Sequence, residues 1–326
     1  MGEKYEPALD GIRGFAVFAV IVCHIVPRPG GALGVDMFFV LSGYLITRIL
    51  WREFEKNSRL RIGQFLIRRA RRLLPALALV LAAYAITAPL FSPTVAAMWR
   101  EISAAGLYYM NQAIVDGLPI GPLSHTWSLA VEAQFYLVWP FVLLALRPLG
   151  PTRAAAVLVA AWAALTIGRI ALFYSGETTS AYYSTAFHCT GLLLGAAFAL
   201  RPVALRWGGV ALFLLAALAW YNPANTTFSY SIAATELLTL FVIAAPPRLL
   251  TWRPLRLLGV ISYGVYLWHV PVWYARGLQS GIDDAIEVIV ITVLIASASY
   301  LLVERPFLKN RGAGGKISTP EAQAAP

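Results

Sequence analysis

The sequence predicts an all-α integral membrane protein of about ten transmembrane helices, with both termini in the cytoplasm. Three observations carry that expectation. Hydrophobic residues make up 59% of the 326 and charged residues 13%, and the mean hydropathy is +0.68, a composition foreign to ordinary soluble domains. Apolar windows recur along nearly the whole chain, each long enough for a hydrocarbon core of roughly 30 Å, which takes about 20 helical residues. Lys and Arg gather in every second connection, as they do in short cytoplasmic loops. The windows are too long for barrel strands, leaving helices to satisfy the backbone in lipid.

The windows fall near 12–27, 34–50, 72–91, 126–146, 153–174, 182–200, 205–221, 228–245, 257–275 and 284–304. The loop after the second, with its adjoining helix ends, holds Arg48, Arg52, Lys56, Arg59, Arg61, Arg68, Arg69, Arg71 and Arg72. Connections at 147–153, 201–206 and 246–256 and the C-terminal tail are also basic, whereas the alternate loops hold only Arg28, Arg100 and Arg276. An eleventh candidate, 98–115, is interrupted by Arg100, Glu101, Asn111 and Gln112. It reads as an interfacial or re-entrant helix lying over the site, because counting it as a span inverts the charge pattern.

Topology thus accounts for the net charge of +10, and no nucleic-acid partner is expected. Cys23 and Cys189 both fall inside spans, which argues against a disulfide framework or a zinc site. No cleavable signal peptide is expected, since the first apolar run opens on an acidic turn and leads into a second span. Residues 1–307 are expected to form one transmembrane domain and 308–326, which include "GAGGKISTPEAQAAP", a disordered cytoplasmic tail.

The first span, "LDGIRGFAVFAVIVCHIVP", carries Asp10, Arg13 and His24. Eleven residues advance a helix by about 1100° and roughly 16 Å, so Arg13 and His24 share a face, with Asp10 one turn below Arg13. The alternatives are a snorkelling Arg anchor and a hydrogen-bonded packing His. The short turn "RPGGALG" holds the first two helices antiparallel and adjacent. Asp36 is therefore expected beside His24, where a carboxylate holds an imidazole in one tautomer for general-base work; otherwise it is a helix N-terminal acid.

Before the third span, "FLIRRARRLLP" sets Arg68 with Arg71 and Arg69 with Arg72 at i,i+3. Arg forks suit phosphate, and anionic lipid head groups are the competing ligand. No G-x-x-x-x-G-K-S/T or G-x-G-x-x-G stretch supplies a nucleotide loop. In the fourth span His125 and Glu132 share a face, and Glu132 either completes an acceptor site or makes a structural hydrogen bond. Trp127, Tyr136, Tyr263, Tyr266 and Trp268 serve as interface anchors, packing or sugar platforms. Arg169, near the outer end of the fifth span, is a candidate partner for Glu132 or an anionic acceptor. "GLLLG" in the sixth reads as a helix contact. His24, His125, His188 and His269 all fall toward the outer side. Neither Ser42 nor Ser128 sits in a nucleophile elbow, so no serine acyl-enzyme is expected.

"LDGIRGFAVFAVIVCH", "GVDMFFVLSGYLI", "RRARR", "HTWSLAVEAQFYLVWP", "ISYGVYLWHVP" and "VERP" occur in an order that resembles the integral-membrane acyltransferase 3 family across residues 9–307. The resemblance implies acyl transfer from acyl-CoA, with acetyl as the default acyl group, to a hydroxyl of a glycan or glycosylated natural product. It implies His24 as the essential catalytic residue and Arg13, Arg68 and Arg71 as donor-binding residues. Together with the reading above, the expected site is His24, Asp36 and Glu132 for catalysis and Arg13, Arg68, Arg71 and Arg72 for acetyl-CoA or another acyl-CoA, without a metal. His24 acts as general base or forms an acyl-imidazole. "TAFHCT" departs from the family, where an Arg and a small acidic or polar group are expected, with His188 a candidate substitute. The resemblance places the chain in the bacterial plasma membrane, with membrane lipid around it. A multi-span transporter or flippase is the rival reading, and it predicts inverted repeats that the charged first span and the basic cluster lack.

Overall fold

A computed structural model describes residues 6–25, 33–88, 94–220, 227–278 and 282–309, and every regular element among them is helical. The segment 310–326, most of the tail, lies outside the described residues. Helix α1 (Pro7–Ile25) starts on a proline with Asp10 in its first turn, both favourable at a helix N-terminus. It pairs with α2 (Leu33–Asn57), followed by α3 (Ile62–Thr87).

The segment after α3 forms two short helices, α4 (Val95–Gly106), capped by the Thr94 hydroxyl, and α5 (Met110–Val115). Tyr108 at φ 56° separates them, and neither is long enough to cross a bilayer. Helices α6 (Trp127–Leu146) and α7 (Gly150–Tyr174) follow. The sixth window is broken into α8 (Thr178–Tyr183), α9 (Thr185–His188) and α10 (Thr190–Leu200), with Ser184 extended between the first two. Helices α11 (Gly208–Trp220) and α12 (Thr227–Ala244) come next. The ninth window is also broken: α13 (Arg253–Val260) meets α14 (Ser262–Ala275) at 74°. Helix α15 (Ile282–Ser299) runs through a π-helical turn into α16 (Arg305–Lys309).

Four stretches among the described residues are long and apolar enough to cross a membrane: Leu33–Asn57, Ile62–Thr87, Ser124–Tyr174 and Asp283–Leu308. The bent pair α13 and α14 makes a fifth if taken as one span, while α10, α11 and most of α12 are shorter apolar helices. The apolar window of α2 is 67% buried against 22% for the other three stretches, which makes α2 the central helix. Leu137, Val138 and Phe141 on α6, Ile167 on α7 and Leu294 on α15 are exposed, as side chains facing lipid are.

Two backbone-close crossings set the frame. A Cβ on Gly195 of α10 would lie 2.0 Å from the Val40 carbonyl oxygen of α2, so "GLLLG" is a close helix contact of the small-residue kind. A Cβ on Gly259 of α13 would lie 1.8 Å from the Asp10 carbonyl oxygen. The turn of chain that carries Asp10 and Arg13 is thereby clamped directly against α13.

Candidate active site

Near the N-terminus of α1, Arg13 Nη1 donates to Asp10 Oδ1 at 2.9 Å, the pairing expected of an i,i+3 stripe. The four arginines of α3 divide between two environments. Arg68 is exposed and 3.7 Å from Glu53, and Arg71 is exposed. Arg69 and Arg72 turn inward, where their charges face Arg13. The Arg69 guanidinium lies 5.6 Å from the centre of the Tyr136 ring and 5.7 Å from that of Phe65, within cation–π range. Of the expected donor residues, Arg13 and Arg72 come together, while Arg68 and Arg71 lie at the surface beside them. Arg69 takes the inward place that the sequence reading did not assign. Its signal was the same i,i+3 spacing, which turns one pair about 100° around the helix from the other.

Glu132 sits deeper. It accepts a short hydrogen bond from the Ser42 hydroxyl of α2 and is bonded to the Tyr136 hydroxyl one turn along α6. Arg69 faces it electrostatically, as do Tyr108, Tyr263 and Tyr266. The carboxylate thus lies between Arg69 and the tyrosines, of which Tyr266 packs against His125 and His269.

Three of the four histidines then cluster. The His24 and His269 ring centroids are 4.9 Å apart, and those of His125 and His269 are 5.1 Å apart. His24 Nδ1 is 2.9 Å from the Val20 carbonyl oxygen; since a carbonyl only accepts, Nδ1 carries the proton and Nε2 is the basic nitrogen. His125 Nε2 donates to the Leu267 carbonyl at 3.1 Å. That carbonyl is available because Pro271, four residues on, has no N–H to claim it. The Tyr266 hydroxyl donates to the His125 carbonyl at 2.7 Å and lies 2.7 Å from Ser128 Oγ. Among the described residues, no group of three His, Cys, Asp or Glu is placed to hold a metal ion.

Asp36 is not beside His24. Its Oδ1 pairs at 2.9 Å with Nε2 of His188, which arrives on α9, and both side chains are buried. The imidazole of His24 is oriented instead by its own helix backbone. Arg169 pairs not with Glu132 but with Glu236 of α12, at 3.6 Å with both side chains fully buried. Thr190 donates to Glu236 Oε1 at 2.5 Å, Trp162 Nε1 donates to its Oε2 at 2.6 Å, and Arg169 Nη1 donates to Thr190 at 2.7 Å. Glu236, a lone acid in an apolar window, was legible as an intramembrane carboxylate and was overlooked. Trp127 lies 4.9 Å from the His188 ring and packs on Tyr182 and Tyr183.

The segment holding α4 and α5 is tied to this region. Gln134 Nε2 donates to the Tyr108 carbonyl and to Asn111 Oδ1, both at 3.0 Å. The Tyr84 hydroxyl and the Leu123 amide both donate to Glu101 Oε2, at 3.2 and 3.3 Å. Burial lifts the Glu101 carboxyl above the usual range, partly opposed by those two donors, and pushes the Tyr108 hydroxyl to about 12.

A family model described as an acyltransferase domain matches residues 6–304. The peptidoglycan O-acetyltransferase OatA of Listeria monocytogenes is 34% identical, over 94% of this chain and 56% of its own length. The O-acetyltransferase OatA of Staphylococcus aureus is 30% identical, over 94% of this chain and 58% of its own. The chain therefore spans little more than half the length of these curated relatives. No solved structure matches it significantly.

Proposed function

Because the chain belongs to the acyltransferase 3 family, we propose that it is a membrane O-acyltransferase, moving an acetyl group from cytoplasmic acetyl-CoA to a sugar hydroxyl. The names of the relatives favour peptidoglycan as the acceptor. One observation carries the reading: the paired Arg13, inward Arg69 and Arg72, Glu132 with its tyrosines, and the His24 cluster follow one another inside the bundle. Arg68 and Arg71 at the surface meet the CoA phosphates, Arg13, Arg69 and Arg72 draw the donor inward, and the pantetheine arm rises along the Arg13 face. His24 Nε2 takes the proton of the acceptor hydroxyl as its oxygen attacks the thioester, a step typically worth about 10² to 10⁴-fold. Glu132 neutralises the arginines and orients the acceptor side, and Asp36 acts at one remove through His188.

The same proposal places residues 1–307 in the bacterial plasma membrane as ten spans, with both termini and the basic loops in the cytoplasm and the tail from 308 extending there. The test is free-thiol release by the purified protein given acetyl-CoA and peptidoglycan disaccharide. His24→Ala is expected to lose about 10² to 10⁴-fold in kcat, and Arg13→Ala to raise KM for acetyl-CoA. A folded wild-type protein that neither binds nor turns over acyl-CoA overturns the reading.

A further inference from the structure

The mechanism above uses one histidine of a cluster of three. His269 is fully buried on α14. Its Nδ1 lies 2.5 Å from the Tyr266 carbonyl oxygen and so carries the proton, leaving Nε2 as a bare lone pair with no hydrogen-bond partner among the described residues. A buried polar atom left unsatisfied calls for an explanation. His24, fixed in the same tautomer by Val20, is the neighbouring ring at 4.9 Å, edge to face at 69°. In the resting state each ring therefore spends its only proton on its own helix backbone, and no hydrogen bond joins the two rings.

We propose that His269 is a positioning residue for His24, a second imidazole that shares the proton His24 acquires. The inference rests on the acyl-transfer reading of His24. In the step, the acceptor oxygen bonds to the acyl carbon while its proton passes to His24 Nε2. The C–S bond breaks with its electron pair on sulfur. The proton, taken up by His24 beside the unprotonated His269 nitrogen, returns to the departing thiolate, so that alcohol and thioester give ester and thiol. The titratable groups facing His269 are His24 from α1, His125 from the turn before α6 and Tyr266 from its own helix. His125 keeps one ring nitrogen on the Leu267 carbonyl and turns the other toward that of Pro122. Its ring packs against His269 and also faces His24.

Two measurements test this. In His269→Gln, kcat is expected to fall about 10²-fold with KM for acetyl-CoA unchanged. The curved dependence of kcat on the deuterium fraction of the solvent, a mark of more than one proton in flight, is expected to become linear, and the pH–rate limb to move. A lower kcat with both profiles unaltered overturns the proposal, because a packing role leaves them in place. Independently of turnover, ¹⁵N-histidine spectra of the wild-type protein are expected to show His24 and His269 titrating together. Separate titrations overturn the pairing even in an active enzyme. A wild type with no turnover but coupled titrations fails only the functional reading.

Discussion

Arg69 and Arg72 face Arg13 while Arg68 and Arg71 stay at the surface, so removing an inward guanidinium has a different consequence from removing an outward one. We predict that Arg69→Gln raises KM for acetyl-CoA about 10- to 100-fold, the worth of a charge-assisted hydrogen bond of roughly 1.5–3 kcal/mol, and that Arg68→Gln, whose exposed contact with a phosphate is screened by solvent, raises it by a smaller factor under the same assay; equal effects would count against an inward donor path. Glu101 carries a pH dependence with a definite sign. Its carboxyl binds a proton more tightly in the folded cap than in the unfolded chain, so the cap is most stable with the acid protonated and loses stability as pH rises from the unfolded value through the folded one. The melting temperature of the wild type should therefore fall relative to Glu101→Gln across that window, and a constant difference refutes the assignment. At this scale the sequence was readable where partners are local. The Asp10–Arg13 pair is three residues apart, and helical geometry places it; Asp36 bonds a histidine 152 residues away, and no local rule supplies that partner.

Helices here are shaped by which backbone groups are left open. Pro271 frees the Leu267 carbonyl that anchors His125, so Pro271→Ala restores a competing N–H. We expect the variant to melt at a higher temperature, since an interior proline costs a helix about 3 kcal/mol, yet to transfer acyl groups more slowly because His125 loses its anchor. Unchanged kcat would show the anchor to be dispensable. The crossing of α2 and α10 has no room for a side chain at Gly195, and Gly195→Ala should destabilise the protein by about 1–3 kcal/mol, measured by thermal melting in detergent. That contact was visible in "GLLLG", as was the failure of 98–115 to span, because charges interrupt it. The breaks at Ser184 and between α13 and α14 were not. A hydropathy window averages across a kink, and the close approach that makes one worthwhile, Gly259 on Asp10, involves residues far apart in the chain.

Across the whole molecule, charge asymmetry carries the orientation, and it can be tested with single reporter cysteines in a background lacking Cys23 and Cys189. Arg201→Cys is expected to react with an impermeant thiol reagent only from the cytoplasmic side and Arg276→Cys only from outside; the reverse pattern, or both on one face, rejects the ten-span arrangement. The apolar fraction made a membrane protein evident, but four or five helices long enough to cross, rather than ten, are distinct among the described residues, because several windows fold as shorter or broken pieces. The burial of α2 also has a bearing on how the protein is made. This helix leaves the ribosome about 150 residues before α10 and the Asp36 partner His188, which at roughly 5–20 residues per second is about 8–30 s. Throughout that interval its acid and the Val40 backbone that Gly195 later covers must be sheltered by the translocon, an insertase or α1 alone. Biogenesis of this bundle is consequently a matter of waiting, with the central helix synthesised early and enclosed late.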